Sequence, residues 1–140
     1  MEVKGLYWLK DNYIKPYDID EGKRIIMCGV PGAFTENCTY EHLPGFVSKL
    51  DKLKELGIDK VVFVSVNDAY VMWTWNKMHG HKDIDSVSDP IADFAKSKKK
   101  DLDWGKTFGV RSSRYAYLWE NGKIVKEFKD PYIDGVIKEL

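Results

Sequence analysis

Two short, uninterrupted apolar runs constrain this chain more than any other feature. They are Arg24 to Val30 and Lys60 to Val66, the latter reading Lys-Val-Val-Phe-Val-Ser-Val. Short continuous runs rich in β-branched residues belong to strands covered on both faces. Pro31-Gly32 ends the first run, and the period then changes. Leu43, Phe46, Val47, Leu50, Leu53 and Leu56 recur at steps of three and four, as on one face of a helix. Gly57 stands where a left-handed cap would end it. A strand–helix–strand unit therefore forms the centre of the fold.

The flanks extend this pattern. Leu6 to Leu9 and Tyr13-Ile14 surround Asp11-Asn12, which predicts an opening hairpin. Asn67-Asp68 can cap a second helix carrying Tyr70, Val71, Trp73, Trp75 and Met78, and Asp89-Pro90 opens a short third helix through Phe94 and Ala95. After a charged loop, Tyr115 to Trp119 and Lys123 to Phe128 flank Glu120-Asn121-Gly122, and Asn-Gly between apolar runs is a strong hairpin signal. Ile133 to Leu140 closes as a helix. No repeat, low-complexity tract or linker divides the chain, so one domain is expected over residues 1–140. The layout is that of an α/β, thioredoxin-like fold: a central mixed β-sheet flanked by helices.

Lys plus Arg and Asp plus Glu both number 22, so no global field recruits nucleic acid or an anionic membrane. The Lys98-Lys99-Lys100 run reads as a solvated face. No apolar run approaches the roughly 20 residues that span a bilayer. The opening Met1 to Gly5 lacks the apolar block of a signal peptide, so a cytoplasmic protein is expected. No Gly-x-Gly-x-x-Gly follows a strand, and His79-Gly80-His81 lacks a third ligand, so neither a cofactor nor a metal is expected. Trp73 and Trp75 read as core or dimer contacts.

The cysteines are Cys28 and Cys38, too few for a disulfide framework and not spaced as Cys-x-x-Cys. Cys28 lies mid-strand, where buried structural thiols are common. Cys38 lies at the start of the helix, where free amides and the positive end of the dipole favour a thiolate, the nucleophilic form. Thr35, three residues earlier, is a candidate N-cap whose hydroxyl would point into the same turn. It could also donate to the thiolate. Pro31 ends the strand, and its ring would shield one side of the sulfur.

Pro31-x-x-x-Thr35-x-x-Cys38 resembles the peroxiredoxin signature. The longer Val-Pro-Gly-Ala-Phe-Thr-x-x-Cys, followed by His42-Leu-Pro-Gly-Phe46, is similar to the peroxiredoxin-5 (type II, atypical) branch. Val64-Ser-Val-Asn-Asp-Ala69, Asp89-Pro90 and Gly109-Val-Arg-Ser-Ser-Arg-Tyr-Ala116 follow in the same order, so the similarity runs from about Lys23 to Lys129. The resemblance implies a cofactor-free peroxidase acting on hydrogen peroxide and alkyl hydroperoxides, with Cys38 as peroxidatic cysteine and Thr35 orienting the peroxide. It makes Pro31 the shield, with Gly32 in support. Amides near Asn37 and Cys38 would bind the departing oxygen, and Arg114 would be the catalytic arginine. Arg111 is the weaker candidate for that role, and His42 would hydrogen-bond around the arginine. A homodimer is implied, with glutathione and glutaredoxin, or thioredoxin, as reductant.

Three departures bear on this reading. Glu36 stands where the family usually has proline, and a carboxylate there would repel a thiolate. No resolving cysteine matches the family's positions, one of which falls at Phe63. The segment before the first core strand is short for the family. Cys28, the one internal candidate for resolution, reads as a buried structural thiol, which points to a one-cysteine enzyme. Two rivals share the fold. A thiol–disulfide oxidoreductase would have cysteine where Thr35 stands, and a non-catalytic redox sensor would keep the site without turnover.

Overall fold

The computed structural model describes residues 1–140. The two apolar runs become β3 (Ile25–Gly29) and β4 (Lys60–Ser65), paired in parallel from Ile25↔Lys60 to Gly29↔Val64. β1 (Glu2–Lys10) and β2 (Tyr13–Asp18) form the opening hairpin, and β5 (Ile84–Ser88) runs parallel to β4. β8 (Tyr115–Glu120) lies antiparallel to β3, and β9 (Lys123–Glu127) pairs with β8. The seven strands are ordered β2-β1-β5-β4-β3-β8-β9, a mixed sheet as expected. Asp11-Asn12 and Asn121-Gly122 all take positive φ, the requirement of tight two-residue hairpin turns.

Side chains alternate across the pleat, so each central strand feeds two apolar layers. Ile26, Cys28, Val61 and Phe63 face one cluster, together with Leu43, Phe46, Trp75 and Val136 from the helices. Ile25, Met27, Val62 and Val64 face the other, with Leu6, Tyr17, Phe94 and Tyr117. The first layer is covered by α1 (Leu43–Ser48), α2 (Leu50–Glu55), α3 (Ala69–His79) and α5 (Ile133–Glu139). Asp68 caps α3 as read from the sequence, its carboxylate accepting from the Val71 amide at 2.9 Å.

Three segments differ from the sequence reading. The single helix expected from Leu43 to Leu56 is broken at Lys49 (φ −119°, ψ 21°) into α1 and α2. It is preceded by a wide π-type turn over Cys38–His42, closed by the Leu43 amide on the Cys38 carbonyl. Pro44 explains that turn: its ring would clash with the carbonyl four residues back in a regular α-helix, and a wider turn relieves the clash. The third helix, α4 (Asp93–Ser97), starts later than Asp89-Pro90 suggested. Asp89 caps it from outside, accepting from the Phe94 and Ala95 amides at 3.0 and 2.9 Å. The charged loop holds a separate two-stranded arm, β6 (Asp101–Asp103) with β7 (Val110–Ser112).

Candidate active site

The site forms where the C-terminal end of β3 meets the N-terminal end of β8. The register pairs Gly29 with Tyr115, so the residues just beyond each strand, Val30-Pro31 and Arg114, emerge side by side. Gly29 makes this approach possible, because a Cβ there would lie 1.9 Å from the Tyr115 ring. The chain then turns through Pro31 to Thr35, tethered to the turn that follows β4 by the Ala33 amide donating to Asn67 Oδ1 at 2.9 Å. Ser65 Oγ donates to the same oxygen at 2.7 Å. The Thr39 amide closes the first helical turn on the Thr35 carbonyl at 3.0 Å, which fixes Cys38 in that turn.

A cavity of about 190 Å³ opens over Cys38, lined by Pro31, Thr35, Asn37, Trp104, Phe108, Arg111 and Arg114. Cys38 as a residue is only 1% exposed, and this cavity is where it meets open space. Arg114 Nη2 donates to Cys38 Sγ at 3.1 Å, across 76 residues of sequence. Its other nitrogen, Nη1, lies 2.8 Å from His42 Nδ1. A guanidinium only donates, so Nδ1 is the acceptor and the imidazole proton sits on Nε2. That proton goes to the Pro131 carbonyl at 2.9 Å. His42 is thus a neutral, tautomer-fixed brace for Arg114. Burial holds its pKa down at about 4, against the upward pull of the Pro131 carbonyl and with the Arg114 charge pressing it lower.

Arg111 enters the same cavity with a different task. Nη1 donates to the Pro31 carbonyl at 3.0 Å, Nε donates to the Phe108 carbonyl at 3.2 Å, and the guanidinium lies 4.9 Å from the Phe108 ring centre. Gly32 leaves the room: a Cβ there would meet Arg111 Nη1 at 2.2 Å. Thr35 does not cap the helix with its side chain as expected. Its hydroxyl donates to the Gly32 carbonyl at 2.6 Å, which leaves its lone pairs as acceptors at the cavity wall. Asn37 sits at the rim, donating to Glu41 at 2.7 Å. Glu36 is exposed and lies outside the cavity lining, so its charge is screened by water.

Several neighbours were invisible to sequence reasoning. Trp104 and Phe108, 42% and 49% exposed, wall the mouth from the β6–β7 arm. Tyr132 lies against His42 with ring centres 4.5 Å apart, has the Arg114 guanidinium 5.4 Å from its ring, and donates its hydroxyl to Asn37 Oδ1 at 2.6 Å. Its one sequence signal is an aromatic after Pro131 in a polar turn. Cys28 is fully buried on β3, and burial pushes its thiol pKa far up. His79 contacts the Phe34 and Tyr40 rings, and His81 accepts from the Asp83 amide, so the two histidines do not act together.

A buried thiol gripped by an arginine, at a helix start on this mixed sheet, defines the class: a thiol-dependent redox enzyme of thioredoxin-like fold. Residues 8–139 match the model of the Redoxin family. Peroxiredoxin-2D of Arabidopsis thaliana is 39% identical over 113 residues, spanning 79% of this chain and 70% of that protein. The crystal structure of reduced Prx3 in complex with H2O2 from Vibrio vulnificus superposes with a TM-score of 0.89 at 30% identity, covering 96% and 91% of the two chains. The Plasmodium falciparum antioxidant protein, a 1-Cys peroxiredoxin, gives 0.78 at 29% identity, covering 85% and 78%. The chain belongs to the peroxiredoxins of the redoxin family, and it is a thiol-dependent peroxidase.

Proposed function

We propose that Cys38 is the peroxidatic cysteine of a one-cysteine cycle. The observation that carries this reading is the 3.1 Å contact between Arg114 Nη2 and Cys38 Sγ inside the cavity that Thr35 and Pro31 also line. The thiolate attacks the terminal peroxide oxygen along the cavity. The S–O bond forms as the O–O bond breaks, and the departing oxygen takes a proton from solvent to leave as water or alcohol. Cys38 remains as sulfenic acid. Arg114 faces the negative charge that moves from sulfur to the departing oxygen, the place where fixed donors lower a barrier most. Thr35 Oγ1, its own proton committed to Gly32, accepts from the peroxide hydroxyl. First-turn amides at Asn37 and Cys38, unpaired within the helix, face the departing oxygen.

A cavity of about 190 Å³ exceeds the roughly 30 Å³ share of one water several times over, which leaves room for an alkyl group beside Trp104 and Phe108. Cys28 is sealed in the sheet, which supports resolution by an external thiol, glutathione with glutaredoxin or thioredoxin, over an internal disulfide. Phe34 and Tyr40, which pack on His79, and Tyr70, Trp73 and Met78 of α3 are exposed large apolar side chains, which supports a homodimer through that face. The fold works as one domain over residues 1–140, in a reducing, cytoplasmic setting suited to free thiols.

Mass spectrometry of Cys38 after one equivalent of peroxide, with and without glutathione, tests the cycle. Sulfenic acid without the thiol and a glutathione adduct with it are expected. Cys38→Ser abolishes peroxide consumption, whereas Cys28→Ser retains most of it. Equal losses in both variants would replace this reading with a Cys28–Cys38 redox pair.

A further inference from the structure

Tyr132 ties together the parts of the site that the chain supplies from far apart. Its ring packs on His42, whose Nδ1 braces Arg114, and the Arg114 guanidinium lies 5.4 Å from the same ring. A cation over an aromatic face is held by the ring quadrupole, so the ring fixes the plane from which Nη2 reaches Cys38. The hydroxyl crosses to Asn37, the residue before Cys38, at 2.6 Å. Beside it, the Pro131 carbonyl takes the His42 Nε2 proton at 2.9 Å, so two adjacent residues clasp the turn holding the thiol.

That clasp has opposite consequences for the two halves of the cycle. Peroxide is small and reaches Sγ through the cavity with the turn in place. A second thiol must bring its own sulfur to Sγ along the axis of the S–O bond it displaces, giving Cys38–S–S–R and water. Cys38 is 1% exposed, so a thiol carried on a tripeptide or a protein cannot make that approach until the turn from Thr35 to His42 moves outward. We propose that Tyr132 is a positioning residue that holds the site in its closed form: the ring sets Arg114 for the peroxide step, and the hydroxyl bond to Asn37 resists the opening that the thiol step requires. The proposal rests on Cys38 as the reacting thiol.

Two single-turnover measurements separate the effects. The first follows the reaction of reduced protein with hydrogen peroxide, and the second follows preformed Cys38 sulfenic acid with glutathione. Tyr132→Leu, which removes ring and hydroxyl, slows the peroxide step and speeds the glutathione step. Tyr132→Phe keeps the ring, restores most of the peroxide rate, and still speeds the glutathione step by about three- to tenfold, the weight of one exposed hydrogen bond. A merely structural role would slow both steps together or neither. Tyr132→Leu with an unchanged peroxide step, or Tyr132→Phe with an unchanged glutathione step, overturns the proposal, as does slowing of both steps in either variant. Cys38→Ser, run alongside, keeps the two readings apart. Peroxide consumption surviving in that variant would defeat Cys38 as the reacting thiol, whereas its loss leaves Tyr132 judged on the two rates alone.

Discussion

Arg114→Ala is the perturbation with the most to say about this site. The substitution removes the Nη2 donor 3.1 Å from Cys38 Sγ and the Nη1 donor 2.8 Å from His42 Nδ1. Cys38 is 1% exposed, so water cannot take over the lost contact without entering the cavity. A hydrogen bond to a charged group is worth about 1.5–3 kcal/mol even in the ground state. A donor aimed at charge that develops during reaction is worth about 10²–10³ in rate when removed. The peroxide rate constant is therefore expected to fall by about 10²–10³. Leaving the buried His42 Nδ1 without its donor adds about 1–3 kcal/mol of destabilisation. Stopped-flow single turnovers of prereduced protein with hydrogen peroxide give the first quantity, and urea unfolding gives the second. Arg114→Lys recovers part of the rate, since an ammonium reaches sulfur or imidazole but lacks the fork that bonds both. Arg111→Ala is the decisive companion. Its guanidinium holds the Pro31 carbonyl and packs on Phe108, so it shapes the wall and costs less. A peroxide rate unaffected by Arg114→Ala, or hit harder by Arg111→Ala, would refute the assignment.

Thr35→Val removes an acceptor from the cavity wall and frees the Gly32 carbonyl, and the peroxide rate falls by about ten- to a hundredfold in the same assay. His42 makes stability depend on pH. Its pKa of about 4 in the fold, against an ordinary 6.5, means the unfolded chain binds the extra proton between those values. Stability is full above about pH 6.5, declines by roughly 3 kcal/mol as pH falls through about 4, and then levels off. Urea unfolding from pH 7 to 3.5 measures the slope, and His42→Gln flattens it; an equal slope in that variant would show that other groups cause it. Glu36→Gln leaves the peroxide rate near that of the parent protein, because the carboxylate stands in water outside the cavity. A marked rise would mean that the carboxylate turns toward the sulfur in solution.

Elements with one strong period were legible from the sequence. β3 and β4 are runs that no exposed segment could carry, and the two hairpins follow from Asp-Asn and Asn-Gly turns with positive φ. The helix after Cys38 was legible as an apolar face and not as a backbone. Leu43, Phe46, Leu50 and Leu53 keep one stripe through the break at Lys49, so periodicity alone cannot reveal the break. The π-type turn had a local signal in Pro44, whose conflict with a regular helix four residues back is steric and readable. The β6–β7 arm had none of comparable strength. Leu102, Trp104, Phe108 and Val110 are largely exposed apolar side chains among charges, a pattern that states neither strand nor loop.

Within the site, the division follows sequence distance. Pro31, Thr35 and Cys38 lie within one short segment, and their spacing alone says that they meet. Arg111 and Arg114 are equivalent by composition, and only the pairing of Gly29 with Tyr115 decides which guanidinium stands at the sulfur. That pairing rests on the exchange of bulk between a glycine and a tyrosine on neighbouring strands. Shifting β8 by one residue would carry Tyr115 to the opposite face and Arg114 away from the thiol. The placement of the arginine is thus a property of the sheet register, and the packing of Tyr115 in the layer opposite α1, α2, α3 and α5 helps to hold it. Tyr132 lies further out, 94 residues beyond Cys38 by the numbering, on a turn that reaches the site because α5 packs Ile133 and Val136 into the same cluster as Leu43 and Phe46. Arg114 and Tyr132 therefore reach the turn of Cys38 from both layers of the core: one sets the register that delivers Arg114, and the other docks the helix that delivers Tyr132.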